Sequence, residues 1–210
     1  IPSTVSECFE FGWKAFDIAE KFQTPVIVLS DLDLGMNLWA TKASAYHDNP
    51  IDRGKILWEE DLEKFKDDWG RYLDVDGDGI PYRTVMGNKH EKAAYFTRGT
   101  GHDEFGNYSE DPEVWQRVLD RIKKKFDNAR EDLPDPVYRK MDSAKIGLIG
   151  MGSTEPAIIE AQDRLKPLGI QTDFMRIRAL PFSNAVREFI QAHQQNYILE
   201  LNRDGQLHEI

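Results

Sequence analysis

The chain reads as an α/β protein with a mainly parallel sheet, and three observations lead there. Residues 146–149 form a short apolar run, the signature of a strand buried on both faces. Gly150-Met151-Gly152 then makes a tight turn, Ser153 or Thr154 is placed to cap a helix, and Gly169 stops that helix. A second apolar run over 172–177 begins a few residues later. Strand, glycine turn, helix and strand in that order form a βαβ crossover, the connection that joins parallel strands.

The other elements follow in chain order. Thr4-Val5-Ser6-Glu7 fits a capping box, in which the Thr4 hydroxyl accepts an early helix N–H and Glu7 reaches back. Phe9, Trp13 and Phe16 recur at helical spacing behind it, with Ile18 and Phe22 broadening the apolar face. Pro25 disfavours helix in the residue before it, so the helix ends near Phe22. Residues 25–29 read as a short buried strand with an acidic carboxyl end, Ser30-Asp31-Leu32-Asp33, where a helix cap or turn is the simplest role. Residues 35–57 lack periodicity and read as loop or arm. Trp58, Leu62, Phe65 and Trp69 mark one face of an acidic helix ending near Tyr72. Asp111 and Pro112 start a long helix with Trp115, Leu119, Ile122 and Phe126 as its buried stripe. Leu133-Pro134-Asp135-Pro136 makes the best domain boundary. Beyond the crossover come a helix near 184–193 and a strand over 197–201.

Composition narrows the function classes. A formal net charge of -10 over 210 residues argues against nonspecific binding to nucleic acid or an anionic membrane. The basic run Lys123-Lys124-Lys125 lies near a predicted helix end, where cations suit the macrodipole and a solvated face is expected. Cys8 is the one cysteine, so no internal disulfide or cluster of thiolates for iron–sulfur or zinc can form within these residues. Its place in an apolar helical pattern points to a buried, structural thiol. No apolar run approaches the roughly 20 residues that span a bilayer. With no signal peptide in view, a cytoplasmic location is the expectation. Ile1 is an unusual start, which suggests a piece of something longer.

Three loops carry candidate chemistry. Asp74, Asp76 and Asp78 with Gly79 match the first half of a calcium loop, whose alternating carboxylates turn hard oxygens inward. Val85 stands where the bidentate Glu belongs and Pro81 interrupts the loop, so an Asx-rich structural turn competes with metal binding. The second loop, 98–106, sets His102 beside Asp103 and Glu104 between glycines, with Arg98 at its start. Such a His can serve proton transfer or a metal, but neighbours in sequence need not converge, and a surface loop is the simpler reading. The third, Gly150-Met151-Gly152, invites a dinucleotide reading. Glu155 occupies the third glycine position, however, and would repel a pyrophosphate.

Taken together, the segments DVDGDGIPYRT (74–84), RGTGHDEFG (98–106), IGLIGMGST (146–154) and ELNRDGQL (200–207) resemble the α subunit of 2-oxoacid:ferredoxin (acceptor) oxidoreductases, in particular the 2-oxoglutarate-type branch. The resemblance covers essentially the whole chain, and GDGIPYRT and GTGHDEFG are its most specific parts. It implies that residues 1–136 are the latter part of a thiamine-type pyrimidine-binding domain with loop or arm insertions. Residues 142–210 would then be a transketolase C-terminal-like domain concerned mainly with assembly. It further implies oxidative decarboxylation of a 2-oxoacid on thiamine diphosphate with Mg²⁺, electron transfer through an iron–sulfur cluster to ferredoxin, and formation of an acyl-CoA from coenzyme A. The family's Tyr-Pro-Ile-Thr-Pro segment and its cofactor-activating glutamate are absent here. The diphosphate–Mg²⁺ site and, usually, the cluster cysteines belong to the partner β subunit. The chain is therefore expected to be inactive alone and to work in an oligomeric complex with no nucleic-acid or membrane partner. His102, Asp103 and Glu104 become an expected active-site loop, and Arg98 a cation for a carboxylate or a local ion pair. Other readings are another thiamine-fold enzyme of transketolase type, a noncatalytic assembly module, and a calcium-binding domain.

Overall fold

In order along the chain come helices α1 (Val5–Phe22), α2 (Leu32–Met36), α3 (Glu59–Lys64) and α4 (Pro112–Ala129). Strands and helices then alternate: β1 (Val137–Arg139), β2 (Ile146–Met151), α5 (Glu155–Leu165), β3 (Thr172–Ile177), α6 (Asn184–Ala192), β4 (Gln195–Leu199) and α7 (Gln206–Glu209). The structure, a computed structural model, describes residues 1–44, 46, 48, 50–65, 69–97 and 99–210. Packing divides the chain into two compact units. One comprises 1–16, 26–49 and 130–210, and the other 17–25 and 50–129. The amino-terminal helix thus starts in the first unit and ends in the second, a different division from a single cut near residue 136.

The first unit is built on a four-stranded sheet in the order β1-β3-β2-β4. Strand β2 pairs in parallel with β3 (Ile146 opposite Thr172) and with β4 (Ile146 opposite Gln195). The predicted crossover is therefore present, and the sheet is mainly parallel. Strand β1 runs antiparallel to β3 along the edge. Side chains alternate between faces, as a strand requires. Leu148 and Phe174 pack with Ile158 of α5, and Ile149, Met175 and Ile177 pack with Val186 and Phe189 of α6. Both faces are covered, which is why β2 reads as a continuous apolar run. Gly150 is required by closeness: a Cβ there would lie 2.5 Å from Ile158 Cδ1.

In the second unit, Phe22, Ile80 and Ala129 form a core against Ile18, and Leu57 and Leu62 are buried as well. Helix α4 buries Val118, Lys125 and Ala129, while Trp115, Leu119 and Phe126 of the expected stripe are 49%, 50% and 41% exposed. The loop beneath α4 explains the choice of face. Gly79 sits so close that a Cβ would lie 2.5 Å from the Lys125 amide nitrogen, and Arg121 donates to the Gly79 carbonyl at 3.0 Å.

Three further expectations are corrected. Residues 25–29 form no strand: Ile27, Val28 and Leu29 are 77%, 40% and 56% exposed, and no strand among the described residues pairs with them. The helix expected to reach Tyr72 stops at Lys64, because Phe65 turns to extended backbone and packs edge-on against Tyr82. On α1 the buried phenylalanines are Phe11 and Phe22, whereas Phe9 and Phe16 are 40% and 64% exposed. Cys8 is half-buried and free.

Candidate functional site

The glycine-flanked loop of the second unit is a tight turn closed by its own acid. Asp103 Oδ1 accepts the Phe105 and Asn107 N–H groups at 2.9 and 2.8 Å, and Asn107 Nδ2 donates to Oδ2 at 3.0 Å. Partial burial raises the Asp103 pKa, but the donors from Asn107 and Phe105 outweigh it and hold the carboxyl below its usual range. Gly106 takes a positive φ of 86° at the bend, which a glycine permits without strain. Gly101 has no room for a side chain, since a Cβ would lie 2.3 Å from the Ser109 carbonyl oxygen.

The neighbouring side chains point to separate partners. His102 stacks on Tyr72 with ring centroids 3.9 Å apart, and its Nδ1 lies 2.9 Å from the Asp103 carbonyl oxygen. Glu104 accepts from Arg117 Nε at 2.9 Å, and that guanidinium is the main reason its carboxyl titrates low. The loop brings three ionisable residues together in sequence but builds no acid–base pair from them. Arg98 lies outside the described residues.

The acidic loop at 74–80 holds a cation of the protein's own. Lys55 Nζ lies 2.6 Å from Asp76 Oδ2, 2.8 Å from Asp78 Oδ2 and 3.1 Å from the Ile80 carbonyl oxygen, and 5.2 Å from the Tyr82 ring centroid. This resembles the donor set of a hard metal, with an ammonium in the middle. Burial lowers the Lys55 pKa, but bonds to Asp76 and Asp78 raise it further, and the bond from Lys55 holds Asp76 low. Asp74 and Asp78 also accept the amides of Gly79 and Ile80, at 3.0 and 2.9 Å. Among the described residues no group of three or more His, Cys, Asp or Glu side chains is placed to hold a metal ion. The pattern that reads as half a calcium loop folds as an Asx turn around a lysine.

The βα turn of the first unit is occupied in the same fashion. In the sheet order, β3 and β4 lie on opposite sides of β2, so the carboxyl end of β2 is the topological switch point where α/β proteins bind ligands. Asp31 fills it. Its Oδ2 accepts the Ser153 N–H at 2.6 Å, and its Oδ1 caps α2 through the Leu34 N–H at 2.8 Å. A Cβ on Gly152 would lie 2.4 Å from Asp31 Oδ2. Thr154, expected as a cap, instead donates its hydroxyl to the Met151 carbonyl at 2.6 Å.

Beside this turn lies a nearly dry charge cluster. Arg176 of β3, 4% exposed, grips Glu7 with two bonds of 2.8 Å, and its Nε is 2.9 Å from Glu155 Oε2. Arg178 Nε adds a contact to Glu7 at 3.2 Å, and Ser3 donates its N–H to Glu7 and its hydroxyl to Glu155. Burial raises the Glu7 pKa, but the Arg176 bonds more than offset this and leave it low. Glu155, the residue that spoils the dinucleotide fingerprint, is a partner of Arg176. The capping box is realised with one change: the Glu7 amide donates to the Thr4 hydroxyl at 3.2 Å, while the Glu7 carboxylate returns to Ser3, not Thr4.

Sequence reasoning missed Asp31, Lys55, Arg176 and the buried pair of His193 Nε2 with Asp173, 3.1 Å apart. Each lies 20 or more positions from its partner in the chain, and no local spacing signals such a pair.

Comparison with known proteins supplies what these loops do not. The α subunit of 2-oxoacid:ferredoxin oxidoreductase 2 from Aeropyrum pernix is 33% identical over 208 residues, which is 96% of this chain and 31% of the relative. The chain is a relative of the alpha subunits of 2-oxoacid:ferredoxin oxidoreductases. A 2-oxoglutarate synthase subunit KorA from Methanothermobacter marburgensis is 25% identical over 218 residues, 100% of the chain and 54% of that protein. The chain thus spans about a third to a half of the curated relatives it matches. Among solved structures, a 2-oxoglutarate:ferredoxin oxidoreductase from Magnetococcus marinus, with 2-oxoglutarate, coenzyme A and succinyl-CoA bound, matches with a TM-score of 0.81. It is 23% identical, and the match covers 99% of this chain and 35% of that one. It shows the α/β fold to be the one expected. No family model matches.

Proposed function

We propose that the chain is part of the α subunit of a 2-oxoacid:ferredoxin oxidoreductase, acting on a 2-oxoacid of the 2-oxoglutarate kind. The observation that carries this is similarity over nearly the whole chain to α subunits so named. In this reading residues 1–136 belong to a pyrimidine-binding domain and residues 142–210 to a transketolase C-terminal-like domain. Thiamine diphosphate serves as the electron sink for decarboxylation, with Mg²⁺, an iron–sulfur cluster and coenzyme A completing the reaction. The described residues fit none of these groups as ligands. They gather no metal-binding set, the glycine turn already bonds Asp31, and there is one cysteine. The groups are therefore held by the β subunit and by other parts of the α subunit.

Purification of the full-length polypeptide under native conditions tests this. A co-purifying β subunit, a brown iron–sulfur absorbance and 2-oxoacid-dependent reduction of ferredoxin are expected. A colourless protein with no such partner overturns the reading. The second reading, a noncatalytic assembly module, is favoured by one feature: the loop acids Asp103 and Glu104 and the turn acid Asp31 are bonded within the chain itself.

The loop from Gly99 to Asn107 is assigned to the active-site mouth, with Asp103 as a positioning residue. In the complete enzyme Asp103→Ala should lower kcat/KM for the 2-oxoacid by about tenfold, the effect of about 1.4 kcal/mol. Asp103→Asn keeps acceptor oxygens and should recover part of it. Wild-type kinetics for Asp103→Ala would remove the loop from the mechanism, and an equal loss in melting temperature would make its role structural.

A further inference from the structure

Two apolar surfaces of the first unit are bare in a way that their sequences do not suit. Residues 26–29, Val-Ile-Val-Leu, are β-branched or aliphatic throughout, the composition of a strand with both faces covered. Pro25 stands at the run's first position, where a strand tolerates the missing N–H. Yet the run is unpaired among the described residues, with Ile27 77% and Leu29 56% exposed. An open strand of this kind invites wrong pairing, and natural edges are blunted by charge or bulges that this run lacks. On α1, Phe9 and Phe16 stand two turns apart on one face, 40% and 64% exposed. The helix directly precedes the run, and Asp31 directly follows it as the cap of α2. Helix, apolar run, helix cap is half of a crossover unit that lacks its first strand.

We propose that residues 26–29 form an interior strand of a second parallel sheet, whose remaining strands come from further residues of the same α-type polypeptide. In that sheet α1 is the crossover helix, its Phe9–Phe16 face lying on the sheet. The occupant is argued from three facts. A run apolar at every position needs neighbours on both sides and a layer on both faces, more than one docked peptide strand supplies. Parallel strands are joined by crossovers within one chain, and α1 is the right kind of element in the right place. The relatives that match nearly all of this chain extend well past it: 69% of the Aeropyrum protein lies outside the match, 100% less the 31% covered. Only the identity of the occupant rests on the α-subunit reading.

Hydrogen–deuterium exchange on the full-length α-type subunit, first alone and then with its β-type partner, tests the proposal without any activity measurement. In the subunit alone the amides of residues 27–29 should exchange at least about a hundredfold more slowly than an open chain, as paired interior strands do. Ile27→Asp should remove that protection and lower the melting temperature by several degrees, while Met86→Asp, at a side chain 103% exposed in a loop of the other unit, changes neither. Rapid exchange at 27–29 in both samples overturns the proposal. Protection that appears only with the partner, or only at concentrations where the subunit dimerises, overturns it too, since the strand is then completed by another chain. Protection in a subunit that shows no 2-oxoacid oxidation upholds the sheet and sinks only the proposed activity.

Discussion

Lys125 shows how position on a helix overrides a simple reading of charge. It belongs to a run of three lysines, yet only this one is buried, 7% exposed, with Thr24 Oγ1 at 2.8 Å. Burial, followed by the nearby Arg121 and Arg71, lowers its pKa from 10.5 to about 8. Between those two values the unfolded chain keeps a proton that the folded chain has released. Stability should therefore rise with pH across that window. Urea midpoints measured at about pH 8 and pH 10 would show the slope, and Lys125→Met should abolish it. Lys55 is the opposite case, a cation held by two carboxylates and a carbonyl oxygen. Calcium should leave the melting temperature of this unit unchanged, because the carboxylates it would need are already neutralised. A calcium-dependent rise would mean that Lys55 is displaced.

The elements show which parts of the fold a sequence declares. The β2–α5–β3 crossover was legible because its apolar runs, turn and stop signal are all local. Strand β4 was placed two residues late, and antiparallel β1 was not seen, since nothing near Val137 reveals the partner at Arg176. The strand at 25–29 was expected from composition alone, but pairing needs neighbours, and the described chain has none for it. The candidate loops were found by motif, whereas their bonding was not, because Lys55, Asp31 and Arg117 reach them from elsewhere. Arg176 makes the clearest prediction at this scale. Arg176→Met should cost about 3–5 kcal/mol in chemical denaturation, because Glu7 and Glu155 would be left buried without their cation. The same cluster sets an acid limb. Glu7 has a pKa below its ordinary 4.5, so its contribution is complete above that value and is lost as pH falls through the lower, folded one. Gly79→Ala is the matching test in the second unit. With φ at 85° and Lys125 N 2.5 Å from the new Cβ, it should cost at least about 1–3 kcal/mol.

For the molecule as a whole, nothing the chain carries is a complete reaction centre. One cysteine cannot hold an iron–sulfur cluster, so this polypeptide purified by itself should show no visible absorbance. No helix among the described residues is long and apolar enough to cross a membrane. The contact of Asp31 with Ser153 joins positions 122 residues apart, and it has a meaning beyond stability. The amide at the head of α5 is a natural anion receptor, and its anion is part of the same chain. A tethered ligand of this sort acts at an effective concentration of about millimolar or more. A free phosphate would have to outcompete it at that level, and Gly152 leaves no space for both. The chain is in this sense its own competitive inhibitor, and its best nucleotide-like turn is closed to nucleotides by mass action.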